Sequence, residues 1–127
     1  MKIAVLGEKT NSAQAVRGLL ERSVPDISVI QIAESDKQDN LPGTDLLIID
    51  LEPLSKGLRI IKHIRNRYQI PILLILNDTD SMQVLCQVLQ MGTTDYIYRP
   101  ILQQELIDRV RTLAAGQFDL RAKYQTE

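Results

Sequence analysis

A chain of 127 residues, 44% hydrophobic and 24% charged, is long enough to bury one core without disulfides or a structural metal. The formal net charge of -1 supplies no global field to draw in nucleic acid or an anionic membrane, and the single cysteine, Cys86, excludes an internal disulfide and a cysteine-based zinc site. The first residues carry too short an apolar stretch for a signal peptide, and the longest apolar run, Ile70 to Leu76, falls far short of the ~20 residues that span a bilayer, so a cytoplasmic setting is expected.

Lys2 to Leu6 predicts a buried strand. Asn11 or Ser12 can cap a helix with Val16, Leu19 and Leu20 at helical spacing before Pro25. Ile27, Val29 and Ile32 then alternate as in a strand near a sheet edge. From Glu34 to Thr44 the chain is acidic, contains Pro42-Gly43 and offers only Leu41 as an apolar anchor, so a loop or a single helical turn is expected there. Asp45 to Asp50 is the next strand. Ser55 is a plausible cap for a helix with Leu58, Ile61, Ile64 and Tyr68 inward, and Pro71 to Leu76 is a further buried strand. Asp80 is expected to open a helix that runs through Met91 and closes at Gly92, followed by a short strand, Tyr96 to Tyr98. A final helix runs from about Gln103 to Ala115 with Leu106, Val110 and Leu113 inward. Strands alternating with helices at this spacing predict a parallel sheet covered on both faces.

Within that order, Asp50 stands at the tip of the apolar run Leu46-Leu47-Ile48-Ile49, the sheet edge at which ligands bind in open parallel sheets. With the Pro71 strand and the stretch Gly92 to Pro100, these segments resemble the receiver domain of bacterial response regulators, the phospho-acceptor module of two-component signalling, over roughly Lys2 to Ala115. The resemblance implies a doubly wound α/β fold of the flavodoxin-like kind, five parallel strands in the order 2-1-3-4-5, here with a shortened or missing second helix. It makes Asp50 the candidate phosphoacceptor; the bland alternative is an acid that merely ends a strand. By the same resemblance Glu8, Asp50 and the backbone carbonyl of Glu52 would hold magnesium weakly, or not at all, since Gly7 stands where a further carboxylate is usual. Leu76 stands where receivers place a threonine or serine, and leucine cannot donate a hydrogen bond to phosphate. Arg99 replaces the family's lysine, keeping the charge on a bulkier planar fork. Tyr96 falls at the aromatic switch position, and Pro100 at the proline preceded by a cis peptide bond.

With Gly7, Leu76 and Arg99 all changed, the resemblance points to a degenerate receiver that acts through protein contacts rather than as an enzyme. A conventional receiver phosphorylated on Asp50 by a sensor histidine kinase is the alternative, and a small flavodoxin-like ligand-binding enzyme the second. The last is disfavoured because Gly7-Glu8-Lys9-Thr10 lacks P-loop spacing and no G-x-G-x-x-G follows the first strand. His63 and the basic residues Lys56, Arg59, Lys62, Arg65 and Arg67 read as a solvated helix face, not as a nucleic-acid surface. Ser81 to Gly92 carries no charge, which suggests either deep packing or a partner. Glu105 to Arg111 resembles the last helix of receivers from winged-helix transcription factors, so a homodimer is expected through Leu85, Gln87, Arg109 and Arg111. Residues 1–115 are read as the receiver-like domain, and 116–127 as a linker or signalling helix toward a covalently linked output domain.

Overall fold

Runs of Val, Ile and Leu without alternation are what strands buried on both faces require, and five of them pair here into one sheet. In the computed structural model, which describes residues 1–7, 11–32, 43–51, 57–92 and 95–115, these are β1 (Lys2–Leu6), β2 (Ser28–Ile32), β3 (Leu46–Ile49), β4 (Ile72–Leu76) and β5 (Asp95–Tyr98). All neighbouring strands are parallel and the order is β2-β1-β3-β4-β5, as the resemblance implies. Four helices accompany them among the described residues: α1 (Asn11–Ser23), α2 (Gly57–Arg67), α3 (Met82–Gln90) and α4 (Gln103–Ala114). The expectations for Glu34 to Leu41, for Glu8 and Glu52, and for the linker 116–127 lie outside the described residues.

Two apolar layers sandwich the sheet. On one face Ile3 and Val5 of β1 pack with Val16 and Leu20 of α1 and with Leu106, Val110 and Leu113 of α4. On the other, Ala4 and Leu6 pack with Ile61 and Ile64 of α2 and with Leu85 and Val88 of α3. The alternation of β1 residues between the layers follows from the two-residue period of a strand. Because the chain leaves β1 toward β2 and returns to β3 on the other side, the order reverses between β1 and β3. The crevice outside their C-terminal ends is where such sheets bind ligands.

The helix expected to open at Asp80 opens one residue later. Ser81 is extended (φ -65, ψ 133) and its Oγ accepts the Gln83 N–H at 3.1 Å, the geometry of an N-cap. Asp80 is left for another task, described below. Gly92 ends this segment at φ +96, a left-handed conformation that favours glycine.

Arg65 departs from the solvated face expected of it. It is half-buried, donating from Nε to the Gly92 carbonyl at 2.8 Å and from Nη1 to the Tyr68 carbonyl at 3.1 Å, so it ties the end of α2 to the end of α3. Burial lowers its pKa from the ordinary arginine value, the direction in which desolvation pushes any cation. Arg65→Ala, which removes both charge-assisted hydrogen bonds, is expected to cost about 1.5–3 kcal/mol. Urea denaturation should show a lower midpoint with an unchanged slope.

Candidate functional site at the C-terminal edge of the sheet

Four chemistry-bearing positions are each the first residue past a strand: Gly7 after β1, Asp50 after β3, Asn77 after β4 and Arg99 after β5. Backbone pairing carries the ladder one step further and brings them level. Asp50 N–H donates to the Leu6 carbonyl at 2.8 Å, Gly7 N–H to the Ile32 carbonyl at 3.1 Å, and Arg99 N–H to the Leu76 carbonyl at 2.8 Å. Residues far apart in sequence therefore meet because parallel strands end together.

Asp50 is 4% exposed, and Arg99 reaches it from 49 residues away. Arg99 Nη2 donates to Asp50 Oδ1, forming an ion pair, and Nη1 donates to Asn77 Oδ1 at 2.8 Å. The fork of one guanidinium thus bridges two strand ends, which the single ammonium of a lysine does less readily. Burial lowers the Arg99 pKa from its ordinary value by desolvation. Arginine's ordinary value is high enough that the group stays the positive charge of the site at physiological pH. Asp50 Oδ2 is buried and has no hydrogen-bond partner among the described residues. The network continues outward, since Asn77 N–H donates to Asp80 Oδ2 at 2.7 Å and Asp80 N–H to the Asn77 carbonyl at 3.1 Å.

Gly7 is more than a missing carboxylate. A Cβ built there would stand 2.8 Å from the Asp50 carbonyl oxygen and 3.3 Å from Ala13 Cβ, so no side chain fits without moving backbone. Leu76, with no exposed surface, packs into the layer under α2 and α3. Tyr96 is half-buried against that layer and stacks edge-on with Tyr98, ring centroids 5.8 Å apart. The Arg99–Pro100 peptide bond is cis.

The expected interface residues divide. Gln87 and Arg111 are exposed, but Leu85 is 7% exposed and belongs to the chain's own core, which corrects its assignment to a partner surface. Val88 is fully buried and Val84, Leu89 and Met91 are half-buried, so most apolar residues of this segment face inward; Met82 (68% exposed) and Cys86 do not. Arg109 is already engaged: its Nη1 pairs with Oδ2 of buried Asp95, whose Oδ1 accepts the Tyr96 N–H at 2.8 Å. Asn77, Asp80 and Asp95 are the site and support residues that sequence reasoning did not select. A polar residue directly after each strand, on the edge that carries Asp50, was the available signal for Asn77.

This arrangement defines a class: an open, doubly wound parallel sheet with one acid at its switch-point edge and one cation facing it. No protein-family model matches the chain. It is similar to response regulator ArlR of Staphylococcus saprophyticus, 29% identical over 118 residues, covering 91% of this chain and 53% of that protein. ArlR of Staphylococcus aureus strain Mu50 is 34% identical over 90 residues, 66% of this chain and 41% of that protein. The chain spans about half the length of these curated relatives, at 53% and 41%. Among solved structures, the Francisella response regulator 1452 receiver domain superposes with a TM-score of 0.69 at 21% identity, covering 91% of this chain and 98% of that one. The resemblance to response regulator receiver domains read from the residues therefore holds in sequence similarity and in fold.

Proposed function

We propose that this chain is a receiver-like signalling domain that acts through protein contacts, with a phosphorylation site too altered to work efficiently. The pairing of Asp50 with Arg99 carries the reading. The buried candidate nucleophile is held as the counter-ion of a half-buried guanidinium, beside a glycine with no room for a carboxylate and a leucine with no hydroxyl. Phosphoryl transfer needs oxygen ligands for a metal and donors aimed at developing charge, and these are the parts that have changed. Of Glu8, Asp50 and Glu52, only Asp50 lies among the described residues. Those residues hold no cluster of three His, Cys, Asp or Glu. Among the described residues the carboxylate at this edge is already paired with arginine, which makes it a weaker ligand for magnesium. Calorimetric titration is expected to give no saturable heat with millimolar magnesium; tight, saturable binding lost in Asp50→Asn would contradict the reading.

A conventional receiver phosphorylated on Asp50 by a histidine kinase is the second reading. Oδ2 of Asp50 favours it, because among the described residues that oxygen accepts no hydrogen bond and is not the one held by Arg99. In either case the proposed setting is the cytoplasm, with a sensor kinase or other signalling protein as partner and an output domain joined beyond residue 115. No described helix is long and apolar enough to cross a membrane.

A homodimer through α3, β5 and α4 belongs to the same proposal. Met82, Tyr98 and Leu102 are large apolar residues left 68%, 44% and 62% exposed on or beside those elements. Met82→Glu with Arg111→Glu, both at exposed positions, should leave the fold intact and shift sedimentation to a monomer. A wild-type chain that stays monomeric at high concentration would remove this part of the reading.

A further inference from the structure

We propose that Arg99, Asn77 and Asp80 form a positioning relay through which the charge on Asp50 holds the start of α3. It deepens the reading of Asp50 as the counter-ion of Arg99. Asp50 fixes one arm of the guanidinium and the other arm donates to Asn77 Oδ1 at 2.8 Å. Asn77 and Asp80 then close on each other through two bonds, 2.7 Å from the Asn77 N–H to the Asp80 carboxylate and 3.1 Å from the Asp80 N–H to the Asn77 carbonyl. Ser81, the next residue, is the cap of α3, and its carbonyl accepts the Leu85 N–H at 3.0 Å. Polar contacts thus run from the buried carboxylate to Asp80, and the peptide bond from Asp80 to Ser81 joins them to the cap of the helix. Hydrogen bonds in such a chain polarise one another in a low-dielectric site, so losing one member weakens the rest.

The route needs neither a hydroxyl at Leu76 nor a movement of Tyr96. It depends on the two-armed donor that arginine supplies and lysine does not. Asn77 and Asp80 act on α3 only through position; they need touch no ligand. Neutralising or removing the Asp50 carboxylate takes away the charge-assisted bond at Arg99 Nη2, and the loop from Asn77 to Ser81 is expected to loosen with it.

Amide hydrogen exchange on the whole chain tests this without a phosphodonor or a partner, so it can fail while the functional proposal stands, and the reverse. In Asp50→Asn, Asn77→Ala and Arg99→Lys, amides from Asn77 to Leu85 are expected to exchange about tenfold faster, the effect of losing one charge-assisted hydrogen bond. Those of β1 should accelerate by no more than the loss of global stability measured for the same variant. The Asp50→Asn, Asn77→Ala double variant should exchange little faster than either single one, since both break the same chain. Unchanged exchange at Asn77 to Leu85 in Arg99→Lys, an acceleration spread evenly over the molecule, or full additivity in the double variant would each overturn the relay.

Discussion

Replacing Arg99 with alanine is expected to destabilise the domain by about 3–5 kcal/mol, the usual consequence of stranding one member of a buried ion pair. The Asp50 side chain is 1% exposed, its Oδ1 is held by Arg99, and its Oδ2 has no hydrogen-bond partner among the described residues. Truncation leaves a carboxylate that must take up a proton or draw water into the sheet edge. The Arg99 side chain is 20% exposed, so the lower half of that range is the better expectation. Asp50→Asn should cost less, because the guanidinium keeps its bond to Asn77 and has access to solvent. Urea denaturation of the two variants side by side checks the ranking: Asp50→Asn falling further than Arg99→Ala would show that the pair is not the buried partnership described.

Restoring an acid at the end of β1 should not restore a metal pocket. Gly7→Asp is expected to lose roughly 1–3 kcal/mol, the usual cost of forcing atoms into a packed site. Its Cβ would meet the Asp50 carbonyl oxygen at 2.8 Å, and backbone there yields less readily than a side-chain tip. Gly7→Ala isolates the steric part. Gly7→Asp should fall at least as far as Gly7→Ala, since it adds a second negative charge beside Asp50. Thermal midpoints decide it, and Gly7→Asp as stable as the wild type would show that β1 and β3 part easily. The absence of a side chain at position 7 is thus tied to the path of the backbone, whose Asp50 carbonyl leaves no room for a Cβ.

The strands were legible because a parallel sheet buried on both faces leaves no alternative to unbroken apolar runs, and β3 and β4 are such runs throughout. Asp50 and Arg99 were legible as edge residues because each ends its strand. Their contact was not, since nothing local links two residues 49 positions apart. Gly7 could be read only as a missing charge; the close approach of the Asp50 carbonyl is a property of two strands together. The uncharged stretch around α3 hid which side faces inward, because periodicity cannot orient a helix with apolar residues most of the way round. Leu85 and Val88 turned out to be core. Arg65 and Arg109 looked like solvent or partner charges, whereas one binds carbonyls at two helix ends and the other pairs with buried Asp95. Long basic side chains reach several ångströms from their backbone, so sequence position says little about where their charge comes to rest.

Intact-mass measurement of the chain over time, with a small-molecule phosphodonor and magnesium, tests most directly whether Asp50 serves as a nucleophile or as the counter-ion of Arg99. The arrangement of Gly7, Leu76 and the Asp50–Arg99 pair predicts slow addition of a phosphoryl group that stops well short of completion. Rapid, stoichiometric addition that disappears in Asp50→Asn would contradict it and establish the chain as a working receiver.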